Sequence, residues 1–117
     1  MYSKVNLADV PERDPDAAEP TVQSVGYELR PENVRPNVWR YEAGESSPDH
    51  HHEEQEELYV VLDGEFVLTV EGEDLALEPD DYVVVSPESR RRLTAKTDAT
   101  VLIVGAPNVK DDSVVHA

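Results

Sequence analysis

From Thr21 onward the chain consists of short apolar-rich runs, each of strand length and each cut off by turn residues. The runs are 22–29 (VQSVGYEL), 34–43 (VRPNVWRYEA), 57–62 (ELYVVL), 65–71 (EFVLTVE), 74–78 (DLALE), 81–86 (DYVVVS), 91–96 (RRLTAK) and 99–105 (ATVLIVG). Gly44, Asp63-Gly64, Gly72, Pro79-Asp80 and Pro87 fall between them. The runs are rich in Val, Tyr, Thr and Phe, side chains that suit a pleated, half-buried surface. No segment sustains the apolar period of a helix, and no internal repeat is present. Asp63-Gly64, set between two alternating runs, marks a tight hairpin turn. In 117 residues there is room for one domain, and strands at this spacing predict an all-β sandwich or barrel.

Alternation assigns the faces. Phe66, Leu68 and Val70 share one side of their run, and Leu75 and Leu77 oppose Asp74 and Glu78. Beyond Glu57, the run 57–62 is apolar on both faces, which predicts burial on both sides, by a second sheet or by a partner subunit. A homodimer is expected on that ground. Residues 1–20, crowded with acids and punctuated by Pro11, Pro15 and Pro20, read as an acidic N-terminal arm. Residues 21–107 form the β domain and 108–117 a C-terminal tail.

Charge narrows the function classes. Asp and Glu number 26 against 10 Lys and Arg, a net charge of −16. So acidic a body lacks the basic footprint of a nucleic-acid binder and is repelled by anionic lipid. The acids are spread along the chain and only three lysines (Lys4, Lys96, Lys110) are present. Such a surface suits a protein kept soluble in concentrated salt, where screening removes self-repulsion. A halophilic source is the expectation, an ordinary acidic protein the alternative. The absence of cysteine rules out disulfides, thiolate zinc sites and cysteine nucleophiles. With no membrane-length apolar stretch and no signal-peptide core at the N-terminus, the chain reads as cytoplasmic.

The chemistry-bearing cluster is His50-His51-His52, followed by Glu53, Glu54, Gln55, Glu56 and Glu57. On an extended backbone His50 and His52 point to one side and His51 to the other. A bend before Glu57 would bring its carboxylate beside the two imidazoles. Two neutral imidazoles and a carboxylate make a fit set of donors for a divalent metal: iron, manganese, zinc, nickel or copper. The plainer alternative is a solvated loop.

The flanks of the cluster carry a longer pattern. From Gly44 the chain reads glycine, five residues, His50-x-His52, four residues, Glu57, six residues, Gly64. This resembles the first motif of the cupin superfamily, with every defining position present. The resemblance implies a small antiparallel jelly-roll β-barrel over roughly residues 34–105, with His50, His52 and Glu57 as metal ligands. The second cupin motif is degenerate. Asp80 and Glu88 stand where it has glycines, Ser86 where it has its first proline, and Arg91 where it has a fourth ligand, histidine. The chain is similar to a branch of small single-domain cupins in which Gln55-Glu56-Glu57 precedes the hairpin and arginine lies near the second motif.

A guanidinium stays protonated and cannot ligate, so an inward Arg91 would repel a metal, pair bidentately with Glu57 or receive an anionic ligand; the plainer alternative is that Arg90, Arg91 and Arg92 form an exposed patch that pairs with surface acids. Gln55 is expected beside Glu57 as a hydrogen-bond partner or substitute ligand, with a surface position as the alternative. Tyr59 follows Glu57 on the same face, and Trp39 and Tyr41 alternate with charged neighbours. All three fit either the core or the wall of a ligand pocket. Two functions follow, beside a third possibility, an interaction protein whose strand 57–62 forms a dimer interface and whose pocket is vestigial. One is a metal-binding cupin that takes a small molecule in its barrel mouth, where oxygenase- or isomerase-type chemistry is allowed. The other is a metal-free sensor or binding module in which Arg91 pairs with Glu57 or an anion.

Overall fold

The computed structural model describes residues 1–14 and 20–116. After a 3₁₀ turn (Leu7–Asp9) the elements are β1 (Glu12–Arg13), β2 (Thr21–Gln23), α1 (Val25–Leu29), β3 (Arg35–Tyr41), β4 (His50–His52) and β5 (Glu56–Asp63). Then come β6 (Phe66–Val70), β7 (Glu73–Leu77), β8 (Tyr82–Val85), β9 (Arg91–Ala95), β10 (Ala99–Ala106) and β11 (Ser113–Val115). A six-stranded sheet runs in the order β1-β2-β3-β10-β5-β8 and a five-stranded sheet in the order β11-β4-β9-β6-β7. The ladders are antiparallel, and the two sheets close as a jelly roll.

The inward faces of both sheets make the core. The six-stranded sheet contributes Tyr41, Tyr59, Val61, Val85, Ala99 and Val101; the other contributes Phe66, Leu68, Leu77, Leu93 and Ala95. Tyr41 and Phe66 meet edge to face across the two sheets, with ring centroids 5.2 Å apart at 87°. Full burial of a side chain such as Phe66 or Leu68 is worth about 1.5–3 kcal/mol, so this layer holds the sheets together. The Asp63-Gly64 turn is present. Gly64 has φ +75, and a Cβ there would collide with the Asp98 carbonyl and with Ala99. Both the conformation and the space demand glycine.

The structure departs from the sequence reading in one place and adds to it in two. The run 22–29 is not one strand: it breaks at Ser24, and Val25–Leu29 form a helix closed by Arg30 in the left-handed region. Its Gly26 packs against Pro36 of β3, where any Cβ would press on the Pro36 carbonyl. Second, both flanking stretches supply edge strands: β1 pairs with β2, and β11 pairs with β4. Third, β5 is covered on its inner face at Tyr59 and Val61, yet its outer face is closed only at Val60, while Leu62 is exposed. Tyr82 and Val84 of the neighbouring β8 are exposed on that outer face as well. Among the described residues no helix is long and apolar enough to cross a membrane.

Candidate metal centre

The β4–β5 bend does what the spacing of the acids and histidines requires. His50 and His52 lie on one side of β4 and line a cavity, together with Glu57, near the start of β5. One ligand atom from each of the three lies within 4.8 Å of the others. His51 points the other way, and its Nδ1 lies 2.7 Å from Nε2 of His116, which is half-buried there. The bend itself is held by Asp112, whose carboxylate accepts the backbone N–H groups of Glu54 and Gln55.

The ring orientations are fixed from behind. His50 Nδ1 lies 2.8 Å from the Pro48 carbonyl oxygen, which can only accept, so Nδ1 carries a proton and Nε2 is the nitrogen turned to the cavity. That Nε2 faces Glu57 Oε1 at 3.7 Å, and His52 Nε2 faces the same oxygen at 3.3 Å. The two imidazoles pack edge to face at 5.2 Å. Both His52 nitrogens are buried without an aligned hydrogen bond. Buried nitrogens in that state, next to a carboxylate, are what a divalent ion would satisfy, so His50, His52 and Glu57 can hold a metal.

Charge is balanced around Glu57. Burial would raise its pKa, but the imidazoles of His50 and His52 outweigh burial and hold the carboxyl well below its usual range. Tyr59 donates its hydroxyl to Glu57 Oε1 at 2.9 Å. Burial, reinforced by the charge of Glu57, pushes the Tyr59 phenol well above its ordinary value, in keeping with a hydroxyl that donates to Glu57.

The cavity has a volume of about 200 Å³. Trp39, Tyr41, Tyr59, Leu93 and Ile103 give it apolar walls, Ser113 and Val115 of β11 form one side, and Arg35 is an exposed cation at its edge. Trp39, Tyr41 and Tyr59 are thus wall residues, and Tyr41 and Tyr59 belong to the core as well.

A family model described as a cupin domain matches residues 37–105, more than half of the chain. The chain belongs to the cupin family. No protein of curated function matches it. Among solved structures, this cupin is similar to a cupin-superfamily sugar phosphate isomerase from Silicibacter pomeroyi, with 24% identity and a TM-score of 0.78 over 89% of this chain and 75% of that one. It is also similar to KdgF from Halomonas sp., with 18% identity and a TM-score of 0.79 over 93% and 98% of the two chains. The Streptomyces protein PAC13, solved with uridine, shares 14% identity and a TM-score of 0.82 over 100% of this chain and 92% of that one.

At the degenerate second motif of this cupin, Arg91 turns inward with its side chain fully buried, while Arg90 turns outward to Asp49 at 2.8 Å. Arg91 Nη1 stands 3.7 Å from Glu57 Oε1 and Nη2 donates to the Ser86 carbonyl at 2.6 Å, so it is neither an exposed patch residue nor a bidentate partner of Glu57. Arg91 is absent from the cavity lining, which puts it behind Glu57 rather than facing a ligand. Gln55 is buried, but its carboxamide lies over Gly105 and donates to the Pro107 carbonyl at 3.1 Å instead of reaching Glu57. The residue that sequence reasoning missed is Asp112. Nothing local marks it, because its partners lie more than fifty positions away.

Proposed function

We propose that this cupin binds one divalent metal ion through His50, His52 and Glu57 and acts with it on a small oxygen-bearing molecule held in the adjoining cavity. The observation that carries the reading is the contact of His50 Nδ1 with the Pro48 carbonyl, which turns the free Nε2 toward Glu57 and beside His52. When bound, such an ion supplies Lewis-acid polarisation of a ligand oxygen, and a two-histidine, one-carboxylate set also suits Fe(II) oxygenase chemistry. The chain's own residues orient the ligand: Trp39 and Ile103 offer apolar walls, Arg35 attracts an anionic end, and Tyr59 keeps the Glu57 carboxylate in place. A phosphorylated or carboxylated sugar-like molecule has a ring face for Trp39 and an anion for Arg35. The Silicibacter neighbour's name, sugar phosphate isomerase, points the same way, toward isomerase-type chemistry. Elemental analysis of untagged protein tests the metal. Near-stoichiometric metal that disappears in the His50→Ala/His52→Ala variant is expected; trace metal that is unchanged in the variant would sink the reading.

A second reading, a metal-free binding module, draws on Arg91. Its Nε and Nη1 are buried without hydrogen-bond partners, and its charge already stands beside Glu57, where it opposes a cation. Under this reading the metal analysis returns none and an anionic ligand alone raises thermal stability.

The outer face of the six-stranded sheet supports the homodimer. Leu62, Tyr82 and Val84 are 48%, 70% and 61% exposed, uncharged, and contiguous through the pairing of β5 with β8. On a body of charge −16, a second copy of the same uncharged face is the partner that buries it without desolvating acids.

A further inference from the structure

We infer that Asp112 is a positioning residue for the metal centre, holding the His52 ring so that Nε2 is presented beside Glu57; this rests on the metal-binding reading above. Asp112 is 5% exposed. Its Oδ2 lies 3.3 Å from His52 Nδ1, on the opposite side of the ring from Glu57, which lies 3.3 Å from Nε2. A carboxylate buried to this extent needs several donors. Asp112 has the N–H of Gln55 at 2.8 Å and that of Glu54 at 3.0 Å, and its own carbonyl accepts the Glu53 N–H at 3.1 Å. One side chain therefore fixes the backbone between His52 and Glu57 and faces the ring of His52 as well.

The surrounding ladder serves the same end. β11 follows Asp112 directly and pairs Ser113 with His52, Val114 with His51 and Val115 with His50. On its other side, β4 meets β9 in a single residue pair, His50 with Arg91. The segment that Asp112 begins thus pairs with every residue of the ligand-bearing strand, while the β9 side holds it at His50 and through the His52 N–H to the Pro87 carbonyl. With a metal on Nε2, Nδ1 of His52 carries a proton, and Asp112 is the acceptor in place for it. A carboxylate there raises the donor strength of the imidazole and fixes its tautomer, as Pro48 does for His50.

Zinc affinity by chelator competition, the visible spectrum of the cobalt-substituted protein and the thermal midpoint of the metal-free protein test this on wild type, Asp112→Asn and Asp112→Ala. Asp112→Asn retains an oxygen for the backbone N–H groups but loses the charge, and it is the decisive variant if Asp112→Ala fails to fold. Zinc binding about tenfold or more weaker in Asp112→Asn, with an altered cobalt spectrum and a near-unchanged midpoint, is expected. Wild-type zinc affinity and cobalt spectrum in Asp112→Asn would overturn the role of Asp112 alone. Failure of the wild type to take up zinc or cobalt would overturn it together with the metal-binding reading.

Discussion

Glu57 and Arg91 stand 3.7 Å apart inside the barrel, an acid and a base that share a buried space without a well-formed hydrogen bond. The guanidinium spends its one good bond on the Ser86 carbonyl and leaves two nitrogens unpartnered. Its charge is therefore felt by Glu57, while its geometry is committed elsewhere. A cation so placed lowers the affinity of the centre for a metal.

Arg91→His removes that charge and adds a nitrogen donor on the strand that faces β4. Zinc affinity is expected to rise by about tenfold or more, ~1.4 kcal/mol. Arg91→Met, which removes the charge without adding a donor, is expected to rise by less. Equal affinity in all three proteins, measured by chelator competition, would show that Arg91 does not oppose the ion.

Gly105 lies under the Gln55 carboxamide, and any Cβ at that position collides with it. Gly105→Ala is expected to destabilise the fold by roughly 1–3 kcal/mol, the usual cost of overpacking. Gly72→Ala serves as contrast: Gly72 has positive φ, which Gly105 does not, but nothing lies within 4 Å of the added carbon. Urea midpoints should therefore fall further for Gly105→Ala.

The acid limb of stability should show the state of Glu57. Its folded-state pKa is held below the ordinary 4.5 because the two imidazoles overcome the effect of burial. A lowered carboxyl adds stability that is complete above the unfolded value and is lost as pH falls below it. In metal-free protein, the stability gap between wild type and Glu57→Gln is expected to be widest near neutrality and to shrink below about pH 4.5. A gap that grew on acidification would contradict the imidazole–carboxylate account.

Salt should stabilise this chain. At about 1 M salt the screening length is near 3 Å, short enough to quench repulsion among acids spread over the surface of a body of charge −16. The thermal midpoint is expected to rise between 0.1 and 2 M KCl, and a flat or falling midpoint would remove the case for a salt-adapted surface.

Sedimentation at high salt tests the outer sheet face. A dimer is expected for the wild type and a monomer for Val84→Glu, whose side chain is exposed and contributes nothing to the core. A wild-type monomer would leave Leu62, Tyr82 and Val84 as plain surface residues.

Most of the barrel was legible because its strands are long enough for alternation to show. Phe66, Leu68 and Leu77 point inward as their runs predict. The cluster of His50, His52 and Glu57 was legible because the three are close in sequence and spaced by a strand and a bend. What local pattern does not carry was missed. Helix α1 has five residues, too few to display a period, and β11 has three, recognisable only against β4. Gln55 alternates correctly with Glu57, yet the opening made by Gly105 draws its side chain away. Asp112 meets His52 only after the chain has gone round the barrel.

Between β4 and β9 the ladder thins to a single residue pair, flanked by the Ser47 N–H to the Leu93 carbonyl and the His52 N–H to the Pro87 carbonyl, which makes a thin seam in the barrel wall beside the cavity. Peeling along that seam would carry β4 and β11 outward together and leave the Phe66–Tyr41 layer undisturbed. Amides of the histidine tract and of 113–115 should then exchange with deuterium as one cooperative unit, ahead of β5 and β10. Ligand entry and loss of the ion would share that same opening, so the pace at which this wall breathes would limit both.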